Sequence, residues 1–276
     1  MDRLRVSNTV FPTPVGNRRR KGEARPQGKV APPYGAPQPM NADGFVTGNL
    51  VLGALPAHAI NRLRPHLREV RLSKDEYLFQ QDELIHNVYF PDTAVISEFQ
   101  ILEDGRMIEV ATTGREGVIG VVSGFRLSRA VNCAQVCLSG RMLKISRDRL
   151  EREIENDMLL KNSLYAAVVQ QMRQLSQKII CNSYHSVEQR FCSWLLVLSD
   201  RSDSQTLRIT HEHVARVLGV HRPSITCIAQ TIREKGIIEY SRGRLVLTDR
   251  KSAKRAACIC YSDLALPALA AAGRIH

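Results

Sequence analysis

Arg222, Thr226, Cys227 and Gln230 share one face of a helix if Ile225, Ile228, Ala229 and Ile232 form its inward face, at about 100° per residue. Pro223 points outward with them, and Arg222 sits at the exposed N-terminal end. A guanidinium, a hydroxyl and a carboxamide arrayed in this way donate and accept hydrogen bonds, but they hold no general base beside a nucleophile. Their chemistry is recognition. A guanidinium in that position can bond O6 and N7 of a guanine together, worth roughly 1–3 kcal/mol of discrimination against another base. The alternative is an arginine that merely occupies a solvated helix start.

The helix that carries these residues is the second of a pair. In the first, Val214, Val217 and Leu218 line one face, and Thr210 can cap its N-terminus. Gly219 permits the left-handed backbone that ends the first helix, and Pro223 has the φ suited to the first turn of the next. Helix, glycine turn and helix make a helix-turn-helix pattern within 209–248. Gly236 then ends the second helix, and strand-like runs at 237–240 and 245–248 flank Ser241-Arg242-Gly243-Arg244, a hairpin whose two arginines suit phosphates rather than bases. The contacts expected of this module, with double-stranded DNA as partner, are Thr210, His211, His221, Arg222, Ser224, Thr226, Cys227, Gln230, Arg242 and Arg244.

His211, His213 and His221 are the candidate ligands of a metal-assisted enzyme. His211 and His213 are two apart, so on a helix they point about 200° from each other and share a metal poorly. The seven cysteines (133, 137, 181, 192, 227, 258 and 260) are an odd number, widely spread, with no Cys-x-x-Cys pair and no zinc-finger Cys-His spacing. The expectation is no metal, no disulfide framework and, for most of these thiols, a place as small buried hydrophobes. Cys227 faces outward; its oxidation, or that of Cys133 and Cys137, is a thiol-sensing alternative. No Ser-His-Asp spacing, phosphate loop or paired-carboxylate motif appears, so the chain does not read as an enzyme.

A formal net charge of +12 favours an anionic partner, nucleic acid or an acidic membrane surface. No 18-residue apolar run and no signal peptide appears, which gives a cytoplasmic protein with no membrane partner as the expectation. Residues 1–45 carry seven of the twelve prolines, the run Arg18-Arg19-Arg20-Lys21, and eight Lys/Arg against three Asp/Glu. Without apolar periodicity they read as a disordered basic tail, either adding sequence-independent attraction to DNA or passive. A membrane-surface adaptor using this tail is a further reading.

Strand-like runs at 69–72, 76–79, 87–90, 94–102, 107–112, 134–138 and 142–145 follow a helical piece at 57–63, and imply an antiparallel sandwich or barrel. Glu103-Asp104-Gly105-Arg106 supplies a hairpin turn. Leu160, Leu164, Val168, Met172, Leu175 and Ile179 recur at helical intervals over an expected helix 158–181. At about 36 Å it is long enough to zip against its copy in a second chain, or it packs on its own strand-rich domain. A second helix at 186–199 turns Val187, Phe191, Trp194, Leu195 and Leu198 inward, with a hinge at 182–185. The fold class is α+β, divided into the tail 1–45, a strand-rich domain 46–150, a helix 151–183, a winged helix-turn-helix 184–262 and a C-terminal tail 263–276.

The run I-T-H-E-H-V-A-R-V-L-G-V-H-R-P-S-I at 209–225 resembles the winged helix-turn-helix of the Crp/Fnr family of bacterial transcription regulators, whose modules read I-T-x-x-x-(I/L)-A-x-x-(L/V)-G-x-S-R-x-(T/S)-V. YFPDTAVISEFQILEDGRMIEVATTGREGVIG, CNSYHSVEQRFCSWLLVLSDR and AACICY resemble one branch of it, usually left without an assigned ligand. The resemblance implies an N-terminal antiparallel β-roll (jelly-roll-like) sensor domain, a long dimerisation helix bearing the stripe above, a homodimer on an inverted-repeat operator, and RNA polymerase as a further partner. The family's best-known members follow the position of Arg222 with a base-reading Glu and, four residues on, an Arg; Pro223 and Cys227 stand there, so the usual half-site does not carry over. Cyclic-nucleotide binders of the family place a Gly-Glu pair before an Arg-(Ser/Thr)-Ala run. Here Gly120 is followed by Val121, Arg129-Ala130 lacks the hydroxyl residue, and Glu116 is out of register. These departures argue against cyclic AMP, and leave Gly117, Gly120 and Arg129 as remnants of a cassette or a site for another effector. No cofactor is evident.

Overall fold

Seven short strands, each polar on one side or bounded by turn residues, form two antiparallel sheets. The computed structural model describes residues 47–121, 129–202 and 204–264, all within a unit spanning 37–276; the basic tail and most of the C-terminal tail lie outside them. Asn49, fully buried, accepts from Val51 N and Leu52 N to cap α1 (Leu50–Gly53), and its Nδ2 donates to Pro91 O and Gly117 O. The helical piece expected at 57–63 is α2 (Ala57–Leu63). The strands are β1 (Arg68–Leu72), β2 (Tyr77–Phe79), β3 (Asn87–Pro91), β4 (Val95–Ile101), β5 (Met107–Thr113), β6 (Cys133–Leu138) and β7 (Gly140–Ser146). They pair as β1-β7-β3 and β2-β6-β4-β5. Phe79, Ile96, Ile119, Val136 and Met142 fill the space between the sheets.

Strand β6, Cys-Ala-Gln-Val-Cys-Leu, is buried at every position because both of its faces are covered. Ala134 and Val136 face the sandwich interior, while Cys133, Cys137 and Leu138, with Val95 and Phe99 of β4, belong to a second core shared with the C-terminal helices. A continuous apolar run is what such a strand requires.

After α3 (Arg147–Glu155), Asp157 accepts from Leu159 N and Leu160 N and starts α4 (Met158–Tyr184), longer by three residues than the periodicity predicts. The hinge therefore lies at His185 and Ser186, ahead of α5 (Val187–Ser202). Leu160 and Leu164 of the expected stripe turn into their own domain, packing with Leu52, Ile60, Val88 and Phe90, and Val168 is half-buried against that core. Leu175 is half-buried, whereas Met172 and Ile179 are 61% and 68% exposed. The uncovered apolar face is carried instead by Met158, Tyr165, Val169, Met172, Ile179 and Tyr184. A helix that seats one edge on its own sheet shifts its open stripe round the axis, which spacing alone does not register.

Two buried carboxylates tie α4 to the sheet. Glu109 of β5 takes hydrogen bonds from Ser97 Oγ (2.6 Å) and Thr112 Oγ1 (2.7 Å) and an ion pair from Lys178 Nζ (3.0 Å). Glu98 of β4 accepts from Gln171 Nε2 (2.6 Å) and has no cationic partner in an ion pair among the described residues; burial pushes its carboxyl up to about 7, with Glu109 adding to the rise. A carboxyl raised in the folded state contributes stability fully present below its unfolded pKa and lost as pH rises through the folded one. The wild-type protein is thus expected to lose about 2 kcal/mol between roughly pH 5.5 and pH 8 through this group. Glu98→Gln is expected to flatten that slope in chemical denaturation at several pH values; an unchanged slope would remove Glu98 as its source.

Candidate nucleic-acid interface

The strand β8 (Thr206–Arg208) precedes α6 (His211–Leu218), α7 (Arg222–Glu234) and the hairpin of β9 (Ile238–Ser241) and β10 (Arg244–Leu247). Thr210 caps α6, accepting from His213 N at 3.1 Å, and Gly219 takes the left-handed conformation (φ 63, ψ 41) that ends it. Ile225, Ala229 and Ile232 are buried on the inner face of α7, with Ile228 half-buried. Arg222, Pro223, Ser224, Thr226, Cys227 and Gln230 are exposed on the other side, and His221 is exposed at the N-cap position.

Part of this polar face is held in place. His211, half-buried, stacks on Tyr240 with ring centroids 4.3 Å apart, and its Nδ1 lies 3.1 Å from Thr226 Oγ1. Burial, and then the charge of Arg222, hold the His211 ring below the usual histidine range. Thr226 Oγ1 also donates to Arg222 O, and Gln230 Nε2 donates to Glu234 Oε1 at 2.8 Å. Arg222 keeps its side chain free of ion pairs among the described residues, at the exposed N-terminal turn of α7.

The hairpin is a two-residue turn in which Arg242 (φ 48) and Gly243 (φ 75) both take positive φ, the type that matches the twist of the flanking strands. Strand β10 pairs with β8 as well as β9, in the order β8-β10-β9, and sets Arg244 directly opposite Arg208. Arg208 is absent from the contact set read from sequence, because only the sheet register brings it beside Arg244. Like charges opposite each other on neighbouring strands cost stability, which an anionic partner relieves.

Residues 189–252 match the Crp-like helix-turn-helix domain family. This segment is a Crp-like helix-turn-helix domain. No curated protein matches the chain in sequence. Among solved structures, FixK2 from Bradyrhizobium japonicum is 19% identical over 70% of this chain and 98% of its own, with a TM-score of 0.60. A transcriptional regulator of the Crp/Fnr family from Eubacterium rectale is 16% identical, covering 75% and 97%, with a TM-score of 0.61. CLP from Xanthomonas campestris, a c-di-GMP responsive global regulator, is 16% identical over 70% and 99%, with a TM-score of 0.59. At these identities the likeness is one of fold.

The Crp-like domain is seated on the β-roll by buried polar contacts. His213 of α6 points away from His211, as their spacing predicts, and its Nε2 lies 3.2 Å from Cys137 Sγ of β6, between Phe99 and Trp194. Burial lowers the His213 ring to about 4. Glu116, between β5 and the segment carrying Gly117 and Gly120, forms a buried ion pair with Arg201 of α5 at 2.8 Å. It also accepts from Gly114 N at 3.1 Å. A Cβ at Gly114 would stand 2.7 Å from Arg201 Cβ, so the glycine is what lets α5 approach.

The candidate effector residues occupy separate surroundings. Gly117 borders a small recess with Thr113, Ala167, Gln171 and Gln174. Gly120, at φ 87, packs on Asn87 O and Ile85. Arg129 is exposed, and its Nη1 donates to Asp82 O at 2.7 Å. Val121, standing where a cassette carboxylate would be, is buried in the apolar core of Val88 and Val118; residues 122–128, between Val121 and Arg129, lie outside those described. As for thiol sensing, Cys227 is exposed, whereas Cys133 and Cys137 are fully buried and burial pushes Cys137 up to about 12. A thiol held protonated is a poor nucleophile toward oxidants.

Proposed function

We propose that the chain is a homodimeric, sequence-specific DNA-binding transcription regulator of the Crp/Fnr type, with α7 entering the major groove and the β9–β10 hairpin resting on the phosphate backbone. The observation that carries this reading is the uncovered polar face of α7, Arg222 foremost, on a Crp-like domain whose hairpin edge holds Arg208, Arg242 and Arg244. The exposed apolar face of α4 supports pairing with a second copy, which would set two recognition helices about 34 Å apart on an inverted repeat. RNA polymerase is the further partner that such a regulator engages. No helix among the described residues is long and apolar enough to cross a membrane.

A signal at the β-roll has a contiguous route to the DNA-binding face through Cys137–His213 and Glu116–Arg201, and regulation requires that the signal bind two arrangements of these elements with unequal affinity. The buried Val121 and the outward Arg129 speak against cyclic AMP as that signal, and the buried Cys133 and Cys137 against oxidation there. The test of DNA recognition is recovery of crosslinked genomic DNA with the native protein, followed by affinity measurement on the best site. A shared inverted repeat is expected; recovery without a common motif would overturn the reading. Replacing Arg208, Arg242 or Arg244 by alanine is expected to weaken binding to all sequences alike, each lowering the slope of log affinity against log salt by about 0.9 per copy, about 1.8 for a dimer. A slope unmoved by all three would take the hairpin off the phosphates.

A further inference from the structure

Cys181 and His185 lie four residues apart at the end of α4, on one face of the helix, with His185 N donating to Cys181 O at 3.2 Å. Cys258 and Cys260 lie in the turn between α8 (Arg250–Ala256) and α9 (Tyr261–Leu264), where Tyr261 N donates to Cys258 O and Leu264 N to Cys260 O. Packing of α8 and α9 against α5 and α4 brings the two pairs together. Their four ligand atoms, three sulfurs and an imidazole nitrogen, all lie within 4.8 Å of one another. Cys181 Sγ is 3.5 Å from Cys258 Sγ, and Cys260 Sγ is 3.4 Å from His185 Nδ1.

Bonds of about 2.3 Å to sulfur and about 2.0 Å to nitrogen put the ligand atoms of a tetrahedral zinc ion about 3.5–3.8 Å apart. The observed spacing is of that kind. The three thiols are buried and the histidine is half-buried. Ser193 Oγ accepts from Cys258 N and lies 3.0 Å from its sulfur, an outer partner that fixes the ligand's orientation. A purely apolar role accounts poorly for the convergence, since the partly buried Leu264 is the one other hydrophobic residue packed on this cluster among the described residues.

We propose that Cys181, His185, Cys258 and Cys260 bind a zinc-type divalent ion in a closed, four-ligand site. Binding converts the three thiols to thiolates and releases their protons to solvent, with His185 ligating as the neutral imidazole. The ion would staple the end of α4 to the α8–α9 turn that follows the Crp-like domain, across the His185 hinge, fixing the angle at which that domain leaves α4. Its effect on the spacing of two recognition helices rests on the proposed DNA-binding function; the site itself does not.

The test uses the full-length chain, purified under reducing conditions, stripped with a chelator and titrated with cobalt(II). About one equivalent is expected, with the ligand-field and sulfur charge-transfer bands of a tetrahedral thiolate site, which zinc then abolishes by displacement. Cys258→Ser/Cys260→Ser is expected to cut bound metal at least tenfold. His185→Asn is expected to keep the charge-transfer band but alter the ligand-field bands. Cys192→Ser, which removes a buried thiol outside the set, is expected to retain the full equivalent and so separates loss of ligands from loss of fold. Neither metal bound by the wild-type chain, or binding that survives Cys258→Ser/Cys260→Ser, would overturn the site. The readout needs no DNA, so it stands apart from failure of the regulator reading.

Discussion

Replacing Glu116 by alanine is expected to destabilise the protein by about 3–5 kcal/mol, the cost of leaving a buried cation without its partner. Arg201 is 3% exposed and lies against Gly114, so it has little room to reach water. For a chain with this much ordered structure, the thermal midpoint would fall by roughly 10 °C. The magnitude separates two views of the pair. If the Coulomb attraction were itself a large source of stability, an apolar replacement of both residues would be as damaging as the single change. Desolvation of two charges offsets most of that attraction, so Glu116→Leu/Arg201→Met is expected to recover most of the loss. A thermal midpoint for Glu116→Ala within about 2 °C of wild type would mean that Arg201 finds water or another acceptor.

Arg222→Ala is expected to lower affinity for the specific site by about 1–3 kcal/mol per half-site, about thirtyfold to ten-thousandfold on a site occupied by both copies of a dimer, while binding to unrelated DNA changes little. Arg222→Lys keeps the charge but loses the planar fork, so it is expected to lose discrimination at one base pair in each half-site with the salt dependence preserved. Competition titrations against single-base variants of the site read both effects. Equal weakening on every sequence, with the salt slope reduced by about 1 per copy, would instead make Arg222 a phosphate contact.

The regular elements of this chain, and the outward face of α7, were legible in the amino-acid order. Local constraints decide them: helical period for Ile225, Ala229 and Ile232, the left-handed backbone that Gly219 permits, and the strand runs between turn residues. Periodicity identifies an apolar face but not what covers it. Leu160 and Leu164 therefore read as a seam between two chains, although they sit in their own domain's core. Glu116 read as a carboxylate out of register, since its partner Arg201 is remote in sequence and meets it only through the docking of α5. Arg208 became visible only through the pairing of β8 with β10. The largest gap concerns the cysteines. Spacing rules look for ligands close together in the chain, and Cys181 and Cys258 are 77 residues apart. The sequence by itself determined the helices, strands and polar face because each rests on contacts within a few residues. Which buried groups meet was decided by tertiary packing, because burial makes a partner obligatory without saying where in the chain it comes from.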